Sequence, residues 1–189
     1  MTKIEEYKLL LQSRLNDKRY HHSLCVANEA LRLAEKYGAN KEKAYIAGLL
    51  HDITKNAPAE EHLHIFDSFG IMLNGIEQNA EKLWHAISGA AFVEHLLGIT
   101  DQEIIDAIRY HTTARGNMTL LDKILYLADF TSEDRDYDDV DTMRNLVEKS
   151  MQEALLYALS YSIKDLVSNG RALHLDTINA YNDIVRKDA

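Results

Sequence analysis

Six side chains able to hold a divalent metal fall at inward positions of otherwise apolar patterns. His22, His51, His85 and His111 each continue the apolar stripe of a different segment, and Asp129 closes the stripe of Leu121, Ile124, Leu125 and Ala128. Asp52 adjoins His51 at the end of AYIAGLLHDI, the most apolar segment of the chain. A buried carboxylate is costly unless a cation or strong donors meet it. Two such aspartates and four imidazoles relieve one another if metal sits between them. Each residue alone also has a structural reading: an inward histidine commonly hydrogen-bonds within a core, and Asp52 could cap or bridge helices. Neither HExxH nor CxxC occurs in the chain. Spacing alone therefore leaves a metal centre and a buried polar cluster equally open.

The segments that must position these residues read as helices joined by short connections. Thr2 and Glu5 form a capping-box pattern for a helix with Ile4, Tyr7, Leu11 and Leu15 on one side. A second helix is predicted over about 19–37, with His22, Cys25, Val26, Glu29, Ala30 and Leu33 inward and Gly38 ending it. The third, about 40–54, is apolar nearly all round and stops before Asn56 and Pro58. Helices follow over about 59–69 and, after a loop at 70–75, through Trp84, His85, Gly89, Phe92, Val93 and Leu96. Thr100 with Glu103 predicts a cap for the helix presenting Ile104, Ile108 and His111, and Thr119 a cap for the one reaching Asp129. Six acids within 133–141 predict an exposed edge. Leu155, Leu159, Ile163 and Leu166 trace an amphipathic helix whose face would bury against the same chain or a second copy, as in a homodimer. A last helix is predicted over 174–186. The expected fold class is all-α, in a single domain over 1–189 whose core motifs span 19–135 with the C-terminal helices packed on them.

A chain of 189 residues with 46% hydrophobic residues can bury a sizeable core without disulfides. Its one cysteine, Cys25, favours a reducing, cytoplasmic setting. No run approaches a membrane span, and the N-terminal residues lack a signal-peptide core. A formal charge of −9 disfavours nonspecific nucleic-acid binding. It leaves an anionic substrate open, because a metal centre can reverse the local potential.

The ordered set His22, His51-Asp52, His85, His111 and Asp129 resembles the HD-domain phosphohydrolase superfamily. HSLCVANEALRLAEKYG, AGLLHDITK, WHAISGA, AIRYHTT and LDKILYLADFTSEDR together resemble the bacterial YqeK-type symmetrical diadenosine tetraphosphate hydrolases, over about 3–187. The resemblance implies a compact HD-domain helical fold. It makes His22, His51, Asp52, His85, His111 and Asp129 ligands of two divalent ions, with Asp52 bridging them. His22 is favoured over the adjacent His21 because it aligns with Cys25, Val26 and Glu29. Iron is implied in many members, with manganese, cobalt or zinc as alternatives. Lys55, Arg115 and Arg135 are implied to meet phosphates and to assist catalysis beside Asp52. The implied reaction is attack of metal-activated water on diadenosine tetraphosphate, giving two ADP.

Other readings are a different nucleotide phosphohydrolase or a nucleotide-sensing module with little turnover. Phe66, Phe69, Trp84 and Tyr110 follow the motifs closely enough to stack on a base, although such spacing more often marks core. His62, His64, His95 and His174 match no ligand motif and read as surface or packing residues. Two departures stand out: Ala114 replaces a common glycine, and Ser132-Glu133 replaces a common Glu-Pro pair. The second leaves open which acid before Arg135 acts in the site.

Overall fold

The computed structural model describes residues 2–186, so Met1 and residues 187–189 of the expected domain, with the last residue of the motif match, lie outside the described residues. Among the described residues the fold is all-α, with no strand. Helix α1 (Lys3–Arg14) begins in the capping box of Thr2 and Glu5. Helix α2 (Asp17–Tyr37) is capped by Asn16 and ended by Gly38 in the left-handed region, where glycine carries no Cβ penalty. Then come α3 (Lys41–Leu50) and α4 (Ala59–Ser68). Two short 3₁₀ turns, Glu77–Asn79 and Glu81–Leu83, precede α5 (Trp84–Ala91), which widens into a π turn over Phe92–Leu96. Helices α6 (Gln102–Tyr110), α7 (Leu120–Thr131), α8 (Val140–Lys149), α9 (Met151–Ser168) and α10 (Leu175–Arg186) complete the chain.

The core lies where α2, α3, α6 and α7 meet. Val26, Ala27, Ala30, Leu33, Ala47, Leu49, Leu50, Ile108, Ile124 and Leu125 are all buried there. Helices α2 and α3 approach so closely that a Cβ at Gly48 would stand 2.8 Å from the Ala27 Cα and 2.9 Å from the Val26 carbonyl oxygen. Only glycine fits, and that fit draws the end of α3 against the middle of α2. Leu155 and Leu159 of α9 bury against the same chain rather than waiting for a second copy.

Several local expectations change. Helix α3 ends at Leu50, so His51 and Asp52 sit in the turn after it rather than on the helix. Three i→i−3 backbone bonds, from Ile53, Lys55 and Ala57, wind this turn. The cap of α6 is Asp101, not Thr100, because its side chain accepts from the Glu103 N–H. Helix α8 begins inside the acidic run, at Val140, and its apolar residues Met143 and Val147 are buried. Val140, Met143, Leu146 and Val147 keep helical spacing there, a stripe that the acidic composition of the run masks.

Candidate metal centre

The turn that removes His51 from its helix also aims it. In a continuing helix the Gly48 carbonyl would accept from the Asp52 N–H; here His51 Nδ1 donates to it at 2.7 Å. His111 follows α6 in the same way and donates from Nδ1 to the Ile108 carbonyl at 2.7 Å. Each bond fixes the tautomer and leaves Nε2 with a lone pair directed into the protein. His85 enters from the first turn of α5, whose register is held by Thr54: its hydroxyl donates to the His85 carbonyl at 2.8 Å and meets Ser88 Oγ at 2.9 Å. His22 projects from α2 and Asp129 from the last turns of α7.

These residues converge. His22 Nε2 stands 3.0 Å from Asp129 Oδ1, and His51 Nε2 stands 4.0 Å from the same oxygen. Asp52 faces both ways: Oδ2 lies 3.4 Å from His51 Nε2, while Oδ1 lies 3.2 Å from His85 Nε2 and 3.6 Å from His111 Nε2. The two imidazoles of His85 and His111 approach at 3.2 Å, Nε2 to Nε2. His22, His51 and Asp129 form one group able to hold a metal ion, and His51, Asp52 and His111 form another. A single free nitrogen serves one ion, so His51 can belong to only one at a time. His85 is then the imidazole available to the second group.

The donor set fits divalent metal. Among the described residues, His51 Nε2 and Asp52 Oδ1 are buried without a hydrogen-bond partner, a costly condition that cations beside them would relieve. Nitrogen and carboxylate donors in this ratio suit a borderline first-row ion better than magnesium. Burial would raise the Asp52 carboxyl, but His51, His111 and His85 hold it well below the usual carboxylate range. Burial pushes against ionised Asp129 in the same way and is outweighed by Arg135 and His22. Burial drives the His85 pKa down to about 4 against the pull of Asp52, which keeps the imidazole neutral and able to ligate.

Basic groups rim the centre unevenly. Lys55 Nζ lies 3.0 Å from His85 Nε2 and 3.8 Å from Asp52 Oδ1, and burial lowers its pKa despite that carboxylate. The Arg135 guanidinium pairs with the Asp129 carboxylate, and its Nε donates to the Asp129 carbonyl. Arg115 is engaged elsewhere, by Asp122 at 2.8 Å and Asp106 at 3.0 Å, with its guanidinium 4.9 Å from the centre of the Tyr110 ring.

Two participants escaped the sequence reading. Arg19 donates to Asp52 Oδ2 at 2.7 Å; its position three residues before His22, on the same face of α2, is the signal that could have found it. Asp134 accepts from His22 Nδ1 at 2.8 Å and is itself held by the Ser132 hydroxyl at 2.8 Å. The exposed acidic edge therefore turns one acid inward. Arg144 of α8 secures that loop by donating to the carbonyls of Thr131, Ser132 and Arg135.

The remaining histidines and aromatics divide as packing residues. His62 is buried against Ser88 Oγ at 2.7 Å, His174 is buried beside Glu77, and His95 stacks on Phe69. His64 is exposed. Phe66 and Trp84 join Ile87 in a small separate core, and His21 is exposed while His22 is buried.

A bundle whose helix ends present four imidazoles and two carboxylates to one point defines a metallohydrolase class of site, and the comparisons agree. The model of the HD domain matches residues 19–134. The symmetrical bis(5'-nucleosyl)-tetraphosphatase of Bacillus subtilis (strain 168) is 37% identical over 181 residues, covering 96% of this chain and 97% of that protein. The enzyme of the same name from Staphylococcus aureus (strain NCTC 8325 / PS 47) is 33% identical, covering 95% and 94%. A crystal structure described as a predicted HD superfamily hydrolase involved in NAD metabolism, from Clostridium acetobutylicum, superposes with a TM-score of 0.94 at 36% identity, covering 99% of both chains. The chain belongs to the HD-domain family, on the branch of these bacterial tetraphosphatases.

Proposed function

We propose that this protein is a metal-dependent hydrolase of dinucleoside polyphosphates that splits diadenosine tetraphosphate symmetrically into two ADP. The observation that carries the reading is the centre itself: buried, partnerless His51 Nε2 and Asp52 Oδ1 within a six-residue donor set, in a chain near-fully aligned with enzymes named for that reaction. His22, His51 and Asp129 would hold one ion, His85 and His111 the other, and the two oxygens of Asp52 face both groups. When bound, such ions supply Lewis acidity to a phosphoryl group and acidify water at neutral pH. Iron is the metal we favour; manganese, cobalt and zinc suit the same donors.

The chain's own residues supply orientation and charge. The Gly48 and Ile108 carbonyls fix the tautomers of His51 and His111, and Asp134 fixes that of His22. Lys55 on one side and Arg135 on the other would neutralise phosphate charge as it develops. Arg115 pairs with Asp106 and Asp122, away from the six donors, whereas Arg135 pairs with Asp129 of the centre itself. Residues 1–189 would act as one unit in the cytoplasm. Among the described residues no helix is long and apolar enough to cross a membrane.

The test is turnover of diadenosine tetraphosphate by protein loaded with each metal, with the nucleotides separated by chromatography. ADP as the sole product is expected. AMP and ATP in equal amounts would overturn symmetric cleavage, and no product with any metal would favour a sensing module.

A further inference from the structure

Two cavities open against opposite ends of the centre, and their walls differ. One, about 390 Å³, adjoins Lys55 and His85 and is lined by His62, Glu81, Lys82 and Trp84. Its indole is already committed, packed against Phe66 with its N–H donated to the Glu77 carbonyl. The other, about 270 Å³, begins at Asp129 and Arg135 and is walled by Phe130, Tyr137 and Tyr161. None of these three rings is fully buried, and Tyr161 is 38% exposed. They brace one another: Tyr137 and Tyr161 centroids are 5.7 Å apart, Phe130 and Tyr161 6.5 Å at 89°, and the Tyr137 hydroxyl donates to the Phe130 carbonyl.

Partly open rings beside a guanidinium suit a flat, polarisable group attached to phosphate, which describes a nucleobase. Small-molecule pockets run to roughly 300–1,000 Å³, so this cavity is sized for one end of a ligand rather than for a dinucleotide. The adjoining groups have the right order: rings, then Arg135 for phosphate, then Asp129 of the metal group. We propose that this aromatic cavity seats one base of the dinucleotide, with Tyr161 of α9 as a stacking wall. The proposal rests on the hydrolase reading above and adds a specificity residue outside the 19–134 family match.

The experiment compares metal-loaded wild-type protein with Tyr161→Ala and Tyr161→Phe. It measures KM for diadenosine tetraphosphate and the inhibition constant of tripolyphosphate, which has no base. The KM of Y161A should rise about tenfold, within the range for a lost stacking contact, while Y161F stays near wild type. Tripolyphosphate should inhibit all three proteins equally. An unchanged KM in Y161A would overturn the proposal, as would an equal weakening of tripolyphosphate, which would place the damage at the phosphate site. Failure of wild-type protein to cleave diadenosine tetraphosphate is a separate result: it removes the hydrolase reading, and the base subsite with it.

Discussion

The two halves of the centre are built by different means. Around Asp52, the aiming groups reach backbone: His111 donates to the carbonyl three residues back, and the Thr54 hydroxyl holds the His85 carbonyl. Around Asp129, His51 is also aimed by a carbonyl, that of Gly48, but the other aiming groups are side chains: Asp134 on His22, Ser132 on Asp134 and Arg135 on Asp129. The Asp52 side chain is 2% exposed and that of Asp129 19%. One half is thus buried within the bundle, whereas the other is completed by the loop between α7 and α8. Backbone-aimed ligands tolerate surface change. Side-chain-aimed ligands depend on a few replaceable groups, and one of the chain's two departures from its resemblance, Ser132-Glu133, falls among them.

The largest effect should come from the residue that faces both halves. Asp52→Ala is expected to abolish turnover and metal loading in both groups while circular dichroism keeps most of the helical signal. Its loss should exceed the roughly 10–100-fold cost of removing an outer partner of a metal ligand. Full turnover in D52A after metal analysis would break the comparison at its centre. Asp134→Ala should act on one half only. Metal affinity of the His22 group falls by about 10–100-fold and that of the His85–His111 group is unchanged, as followed by calorimetric titration. Equal weakening of both would show that the loop supports the whole centre.

Gly48→Ala probes the helix contact beneath both halves. A methyl group 2.8 Å from the Ala27 Cα must push α3 from α2, costing about 1–3 kcal/mol in urea denaturation. A stability equal to wild type would mean that the backbones separate freely. The smallest effect belongs outside the centre. Glu77 receives Arg109 at 2.5 Å and the Asn74 N–H at 2.9 Å; burial alone would raise its pKa, but these partners lower it. A lowered folded pKa gives stability that is present above the ordinary glutamate range and is lost as pH falls through the lowered value. Glu77→Gln should therefore lose ~1–2 kcal/mol near neutral pH, with the gap from wild type closing in acid and metal binding unaffected. A gap constant with pH would assign the loss to packing instead.

The residues aimed through backbone are the more legible from sequence. His51, Asp52, His85 and His111 sit at the ends of strong apolar patterns, and burial of polar groups there points to a shared partner. Even so, periodicity could not show that His51 and Asp52 leave α3, because a side chain replacing a helical hydrogen bond keeps the apolar spacing intact. On the other side, His22 and Asp129 are visible by the same logic, yet Asp134 hides in an acidic run that composition reads as solvated. Tyr161 is hidden more deeply. Only the packing of α9 on α7 places it beside Phe130, and no local pattern links residues 31 positions apart. Arg19 lies between these cases, on the right face of α2 but without an apolar stripe of its own.

The most direct test of the two-half account is anomalous scattering from crystals of the metal-loaded protein. Two metal peaks per chain are predicted, one contacting His22, His51 and Asp129 and the other His85 and His111, with Asp52 touching both. A single peak, or two peaks that do not share Asp52, would contradict it.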